Sequence, residues 1–119
     1  MEQELREFVI AKTRDLIAAP TVSDEAKEAG ERWLKAAGTP EEAEETVRYI
    51  KELEEDIVPI DGLIAFAGSS AAAEMMGRDH ADALLAHARE IKAAGAVHCD
   101  CPACTAASAI TDRKAEILK

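Results

Sequence analysis

Three cysteines fall within six positions of this chain, in the stretch Cys99-Asp100-Cys101-Pro102-Ala103-Cys104, and His98 directly precedes them. A Cys-x-Cys-x-x-Cys spacing lets one tight turn bring three soft sulfur ligands to the roughly 2.3 Å bond length that zinc requires. Pro102 is a helix-start residue, which places Cys101 at the N-cap and Cys104 in the first helical turn. Both sulfurs then face unpaired backbone N–H groups and the positive end of the helix dipole, which favour thiolate over thiol. That activation serves metal ligation and redox exchange alike.

Ligand counting separates the readings further. Three cysteines need a fourth ligand to close a structural zinc site, and the histidines on offer are His80, His87 and His98. His98 is nearest, but adjacent side chains normally point apart, so it joins Cys99, Cys101 and Cys104 only through a sharp turn. His87 lies about 10 Å down its helix from Ala94 at a 1.5 Å rise per residue, too deep unless the loop folds back. Asp100, water, a distant loop or a second chain are the other sources, and an open fourth position would shift the role towards substrate binding or catalysis. An iron-sulfur cluster is the second metal reading, behind zinc because no ferredoxin spacing is present. A competing chemistry is thiol-disulfide exchange by the Cys101-Pro102-Ala103-Cys104 pair, without the βαβ context of thioredoxin-like proteins. In the plainest reading the cysteines are small buried apolar groups within an interaction module.

Other residues point away from chemistry. His80 and His87 share a helix face, but a surface histidine and one beside a core account for them. Met75-Met76 reads as gap-filling, and Trp33 as core. The acidic run from Glu41 to Glu55 lacks a calcium loop with its central glycine and reads as a solvated helix face. Ser69-Ser70 follows Gly68 without a nucleophile-elbow pattern, and glycine-rich phosphate loops are absent. No catalytic constellation emerges.

The elements that must hold the cluster are helices. Leu5, Phe8, Val9, Leu16 and Ile17 share one face of a first helix over residues 2–18, which Pro20 ends. Ser23 caps a second, running through Trp33 and Leu34 to Gly38. Thr39-Pro40-Glu41-Glu42 reads as a capping box opening a third, with Ala43, Val47, Ile50, Leu53 and Ile57 inward. Pro59 interrupts the pattern. The apolar run after it reads as a short helix capped by Asp61, with Leu63, Ile64, Phe66 and Ala67 in the core, because a lone strand has no evident partner. Ser69 or Ser70 caps an alanine-rich piece ending at Gly77. Asp79 caps a longer helix through Leu84, Leu85, His87 and Ile91 to Gly95, and the last helix starts at Pro102, with Ala106, Ala109, Ile110, Ile117 and Leu118 as its apolar positions.

Composition agrees. The chain has 119 residues, the size of one domain spanning 1–119. Of these, 25 are alanine and only Phe8, Trp33, Tyr49 and Phe66 are aromatic, which favours close-packed helices over sheet. The expected fold is all-α, a compact bundle of five or six mostly short antiparallel helices. A net charge of -10 repels nucleic acid and anionic membranes. A charged N-terminus without an apolar core, and no run near the roughly 18 apolar residues of a spanning helix, point to the cytoplasm. A thin core also suits reinforcement by a protein partner, including a homodimer.

The chain resembles a group of small helical proteins of anaerobic bacteria, through Trp33-Leu34, Glu54-Glu55-Asp56-Ile57-Val58-Pro59-Ile60-Asp61, Glu90-Ile91-Lys92-Ala93-Ala94-Gly95-Ala96 and the closing Cys99-Asp100-Cys101-Pro102-Ala103-Cys104. Some members are labelled heat-shock chaperones, yet this chain has no nucleotide motif. It also compresses into one motif the CxC and CxxC halves that redox-switched zinc chaperones hold far apart. The resemblance implies a stand-alone helical domain and supplies no activity. The function expected from the residues is metal binding, zinc first, at Cys99, Cys101, Cys104 and His98, in a structural or regulatory role.

Overall fold

A computed structural model describes residues 1–119 as eight α-helices without a sheet. They are α1 (Gln3–Ala18), α2 (Asp24–Ala36), α3 (Glu42–Asp56), α4 (Ile60–Ala67), α5 (Ser70–Met76), α6 (Arg78–Ala93), α7 (Pro102–Thr111) and α8 (Lys114–Ile117). The chain divides into two units, Met1–Ile57 with Asp100–Lys119, and Val58–Cys99.

In the first unit α1 packs on α2 and α7, and α3 packs on α2 and α7. Trp33 is fully buried and stacks on Tyr49, with ring centroids 5.8 Å apart. Each ring carries a polar atom inside, and each atom is satisfied: Trp33 Nε1 donates to Thr46 Oγ1 at 2.9 Å, and the Thr13 and Tyr49 hydroxyls are 2.8 Å apart. Burial pushes the Tyr49 hydroxyl up to about 12, so it stays protonated. Gly30 lets α1 and α2 approach closely, since a Cβ there would lie 3.2 Å from Thr13 Cγ2. Ser23 caps α2 as its type suggests, accepting from the Ala26 amide.

α3 differs from its sequence reading in two ways. Thr39 forms a turn, with the Glu42 amide donating to its carbonyl, and the helix starts at Glu42 without a side-chain cap. The Glu42 carboxylate instead accepts from the Gly38 amide and from the Arg6 guanidinium, and the Arg6 contact holds it below its usual range. The helix is also rotated. Glu42, Thr46, Tyr49, Ile50 and Leu53 face inward, while Val47 is 57% exposed and Ala43 is exposed. Hydrogen bonds from Arg6 and Trp33 make burial of Glu42 and Thr46 affordable, and that phase turns Val47 outward.

The second unit packs α6 against α4 and α5. Its buried side chains are small or few: Ile60, Leu63, Ala67, Ala72, Ala81, Ala88 and Cys99. α4 starts at Ile60 behind Pro59, so Asp61 lies inside the helix and pairs with Lys92 at 2.6 Å instead of capping. Phe66 is exposed rather than core. Ser69 caps α5, accepting from the Ala72 amide, whereas α6 begins at Arg78, so Asp79 falls inside it and its N-cap is Gly77. Leu84, Leu85 and Ile91 are half-buried and His87 is exposed. The last helix breaks near Asp112, giving α7 and the single turn α8, and the Arg113 guanidinium lies 4.5 Å from the Phe8 ring centroid. No helix is long and apolar enough to cross a membrane.

Candidate metal centre

The approach to the cluster is fixed by backbone bonds on both sides of it. Gly95, at φ +102°, ends α6 in a conformation that favours glycine, and the Ala96 amide closes the turn on the Ile91 carbonyl. The chain then runs extended beside residues 58–60. The Cys99 amide donates to the Val58 carbonyl at 2.8 Å, and the Ile60 amide donates to the Val97 carbonyl at 3.0 Å. This antiparallel pairing, centred on Pro59 and His98, is the partner that the apolar run after Asp56 lacked in the sequence.

On the other side α7 begins where Pro102 indicates. Cys101 is its N-cap, in extended conformation, and Cys101 Sγ accepts from the Cys104 amide at 3.4 Å. Two hydroxyls complete the start of the helix. The Ala103 amide donates to Thr21 Oγ1 at 3.2 Å, and Thr105 Oγ1 donates to the Asp100 carbonyl at 3.1 Å. Neither was legible beforehand, because Thr21 is 82 residues away from its partner in sequence and a threonine beside a cysteine carries no special signal.

Within this stretch the sulfurs of Cys99, Cys101 and Cys104 all lie within 4.8 Å of one another. In a tetrahedral zinc site with bonds of roughly 2.3 Å, sulfurs sit about 3.8 Å apart, so the three sulfurs lie close enough together to hold a metal ion. Cys99 and Cys104 are buried and Cys101 is half-buried, so the group meets solvent at Cys101, between the exposed residues Asp100 and Pro102. The sulfurs are thus an accessible three-ligand set beside the positive end of α7, which carries no acidic residue in its first turn.

His98 stands outside that group of three. Its Nδ1–H donates to the Cys99 carbonyl at 2.7 Å, which leaves Nε2 as the nitrogen with a lone pair. His80, His87 and Asp100 are not brought into the group either.

A second cluster escaped the sequence reading, which took the acidic run of α3 as a solvated face. Asp56 is pushed up to about 7, chiefly by burial, then by a hydrogen bond with Glu52 and by repulsion from Glu52, Glu25 and Glu55. Spacing four apart on one helix was the available signal for the Glu52–Asp56 pair. Burial at the end of α3 was not.

Comparison with protein-family models, with curated proteins and with solved structures finds no match to this chain. The fold and site together define an all-α chain whose three cysteines lie close enough to hold a metal ion.

Proposed function

We propose that the chain binds a single metal ion, zinc before any other, through Cys99, Cys101 and Cys104, and that the ion has a structural or regulatory role without catalysis. The observation that carries this reading is the convergence of three sulfurs within 4.8 Å on one short stretch of chain. Zinc suits the set because it takes thiolates without a geometric demand of its own and without redox chemistry. An acidic chain under a net charge of -10 suits the cytoplasm and a protein partner or second copy better than nucleic acid or a membrane surface.

A second reading, thiol-disulfide exchange by Cys101 and Cys104, is favoured by one specific contact. The Cys104 amide on Cys101 Sγ sits at a helix N-terminus, the place where a thiolate is stabilised.

The test is elemental analysis of protein purified without an affinity-tag metal, beside the variant carrying Cys99→Ser, Cys101→Ser and Cys104→Ser. Near-stoichiometric zinc in the wild type that is lost in the variant supports the first reading. A metal-free chain whose Cys101–Cys104 disulfide is turned over by a reductase supports the second. Brown colour after anaerobic purification would replace zinc with an iron-sulfur cluster. A partner captured equally by both proteins, with no metal in either, would leave the cysteines silent.

A further inference from the structure

We infer that the bound ion takes only three ligands from this chain, and that its remaining coordination position accepts an exogenous soft donor, a small-molecule thiol, from the Cys101 side. The inference rests on the metal-binding reading above and deepens it. No histidine, aspartate or glutamate ligand atom joins the three sulfurs in their group. A zinc site closed by four protein ligands is purely structural, whereas one with three protein ligands keeps an open position for water or another ligand, which is the regulatory form of the role proposed above.

Access and chemistry select the class of ligand. Cys99 and Cys104 are buried, so an incoming molecule meets the half-buried Cys101 and the exposed Asp100 and Pro102 beside it. Three thiolates make the ion a soft centre that matches a fourth sulfur donor. Charge acts in the same direction. A chain with a net charge of -10 repels phosphates and carboxylates, which arrive as anions, whereas a thiol arrives neutral. On binding, the thiol sulfur donates a lone pair to the ion, its proton passes to solvent, and a solvent molecule leaves the ion for the bulk. No atom is oxidised or reduced. The positive end of α7 offsets part of the charge that the new thiolate brings.

The test uses the full chain, stripped with a chelator, kept reduced with a phosphine and loaded with cobalt(II), with 2-mercaptoethanol as the probe. The expected result has three parts. A sulfur-to-cobalt charge-transfer band appears. Its intensity then rises by about a third on saturation with thiol, as one thiolate joins three. The ligand-field bands shift together with it, and His98→Ala changes none of this. Ligand-field bands that ignore the thiol but move in His98→Ala would show that the chain supplies the fourth ligand, and would overturn the inference. Cobalt that leaves the protein with the thiol on gel filtration would overturn it too. Failure of the underlying reading looks different. No charge-transfer band forms at all, although far-ultraviolet circular dichroism shows the helices intact.

Discussion

The amide of Cys104 donates to the sulfur of Cys101 at 3.4 Å, so the residue that caps α7 is also one of the three clustered thiols. The cap and the proposed metal ligand are therefore one side chain, and the two roles come apart on substitution. Cys101→Ser keeps an acceptor for the Cys104 amide, while Cys101→Ala removes it at a cost of about 1 kcal/mol. Urea unfolding without metal should rank the serine variant at or above wild type and the alanine variant below it. With zinc at a hundredfold excess over its dissociation constant, the wild type should gain about 2.7 kcal/mol and both variants far less.

Protonation of Asp56 gives a pH dependence opposite in sign to that of an ordinary paired carboxylate. Its folded value near 7 lies above the ordinary 3.8, so the folded chain holds this proton more tightly than the unfolded chain. Stability is unpenalised below about pH 4, falls as pH rises towards 7, and is then flat with respect to this group. Glu42, lowered by Arg6, has the reverse sign, and its contribution is lost only as pH falls below its ordinary value of 4.5. From 4.5 to 7 the Asp56 contribution therefore falls clear of that of Glu42, with Asp56 faced by Glu52 and Glu55 on α3 and by Glu25 on α2. Between pH 5 and pH 8, thermal unfolding of Asp56→Asn should lose this slope. After solvent screening the slope is worth about 1 kcal/mol.

The rotated face of α3 makes a paired prediction. Val47→Lys should change stability by no more than about 0.5 kcal/mol, because its side chain is exposed. Leu53→Ala, at a position with no exposure, should cost roughly 2–5 kcal/mol. Equal losses from the two in urea unfolding would contradict the observed phase of the helix.

Thr46 tests the polar side of the same face. Thr46→Val keeps the shape but leaves Trp33 Nε1 buried without its acceptor, an expected cost of about 1–3 kcal/mol by urea unfolding. Wild-type stability in this variant would mean that the indole finds another partner.

These residues also show where the sequence was readable. Pro102 after a small polarisable side chain announced the α7 cap, and Ser23 announced that of α2, because both signals act within three residues of chain. The all-α class followed from alanine content and helical spacing. The phase of α3 did not, since burial of Glu42, Thr46 and Tyr49 depends on Arg6, Trp33 and Thr13, which lie 13 to 36 residues away. Hydropathy alone preferred Val47. Asp61 was misplaced for a related reason: Pro59 itself serves as the N-cap of α4, which frees the aspartate to meet Lys92. At the cluster, sequence spacing pointed to all three thiols. The conformation of His98 depended on pairing with residues 58–60, which no local pattern announced.

In the proposed function, Cys99, Cys101 and Cys104 hold one ion together. Native mass spectrometry of the chain as purified, before and after acid denaturation, tests it most directly. A native mass higher by one zinc ion is expected, with the increment lost on denaturation and absent in each single cysteine-to-serine variant. A native chain at its metal-free mass, with all three thiols alkylated as fast as in the denatured chain, would contradict it.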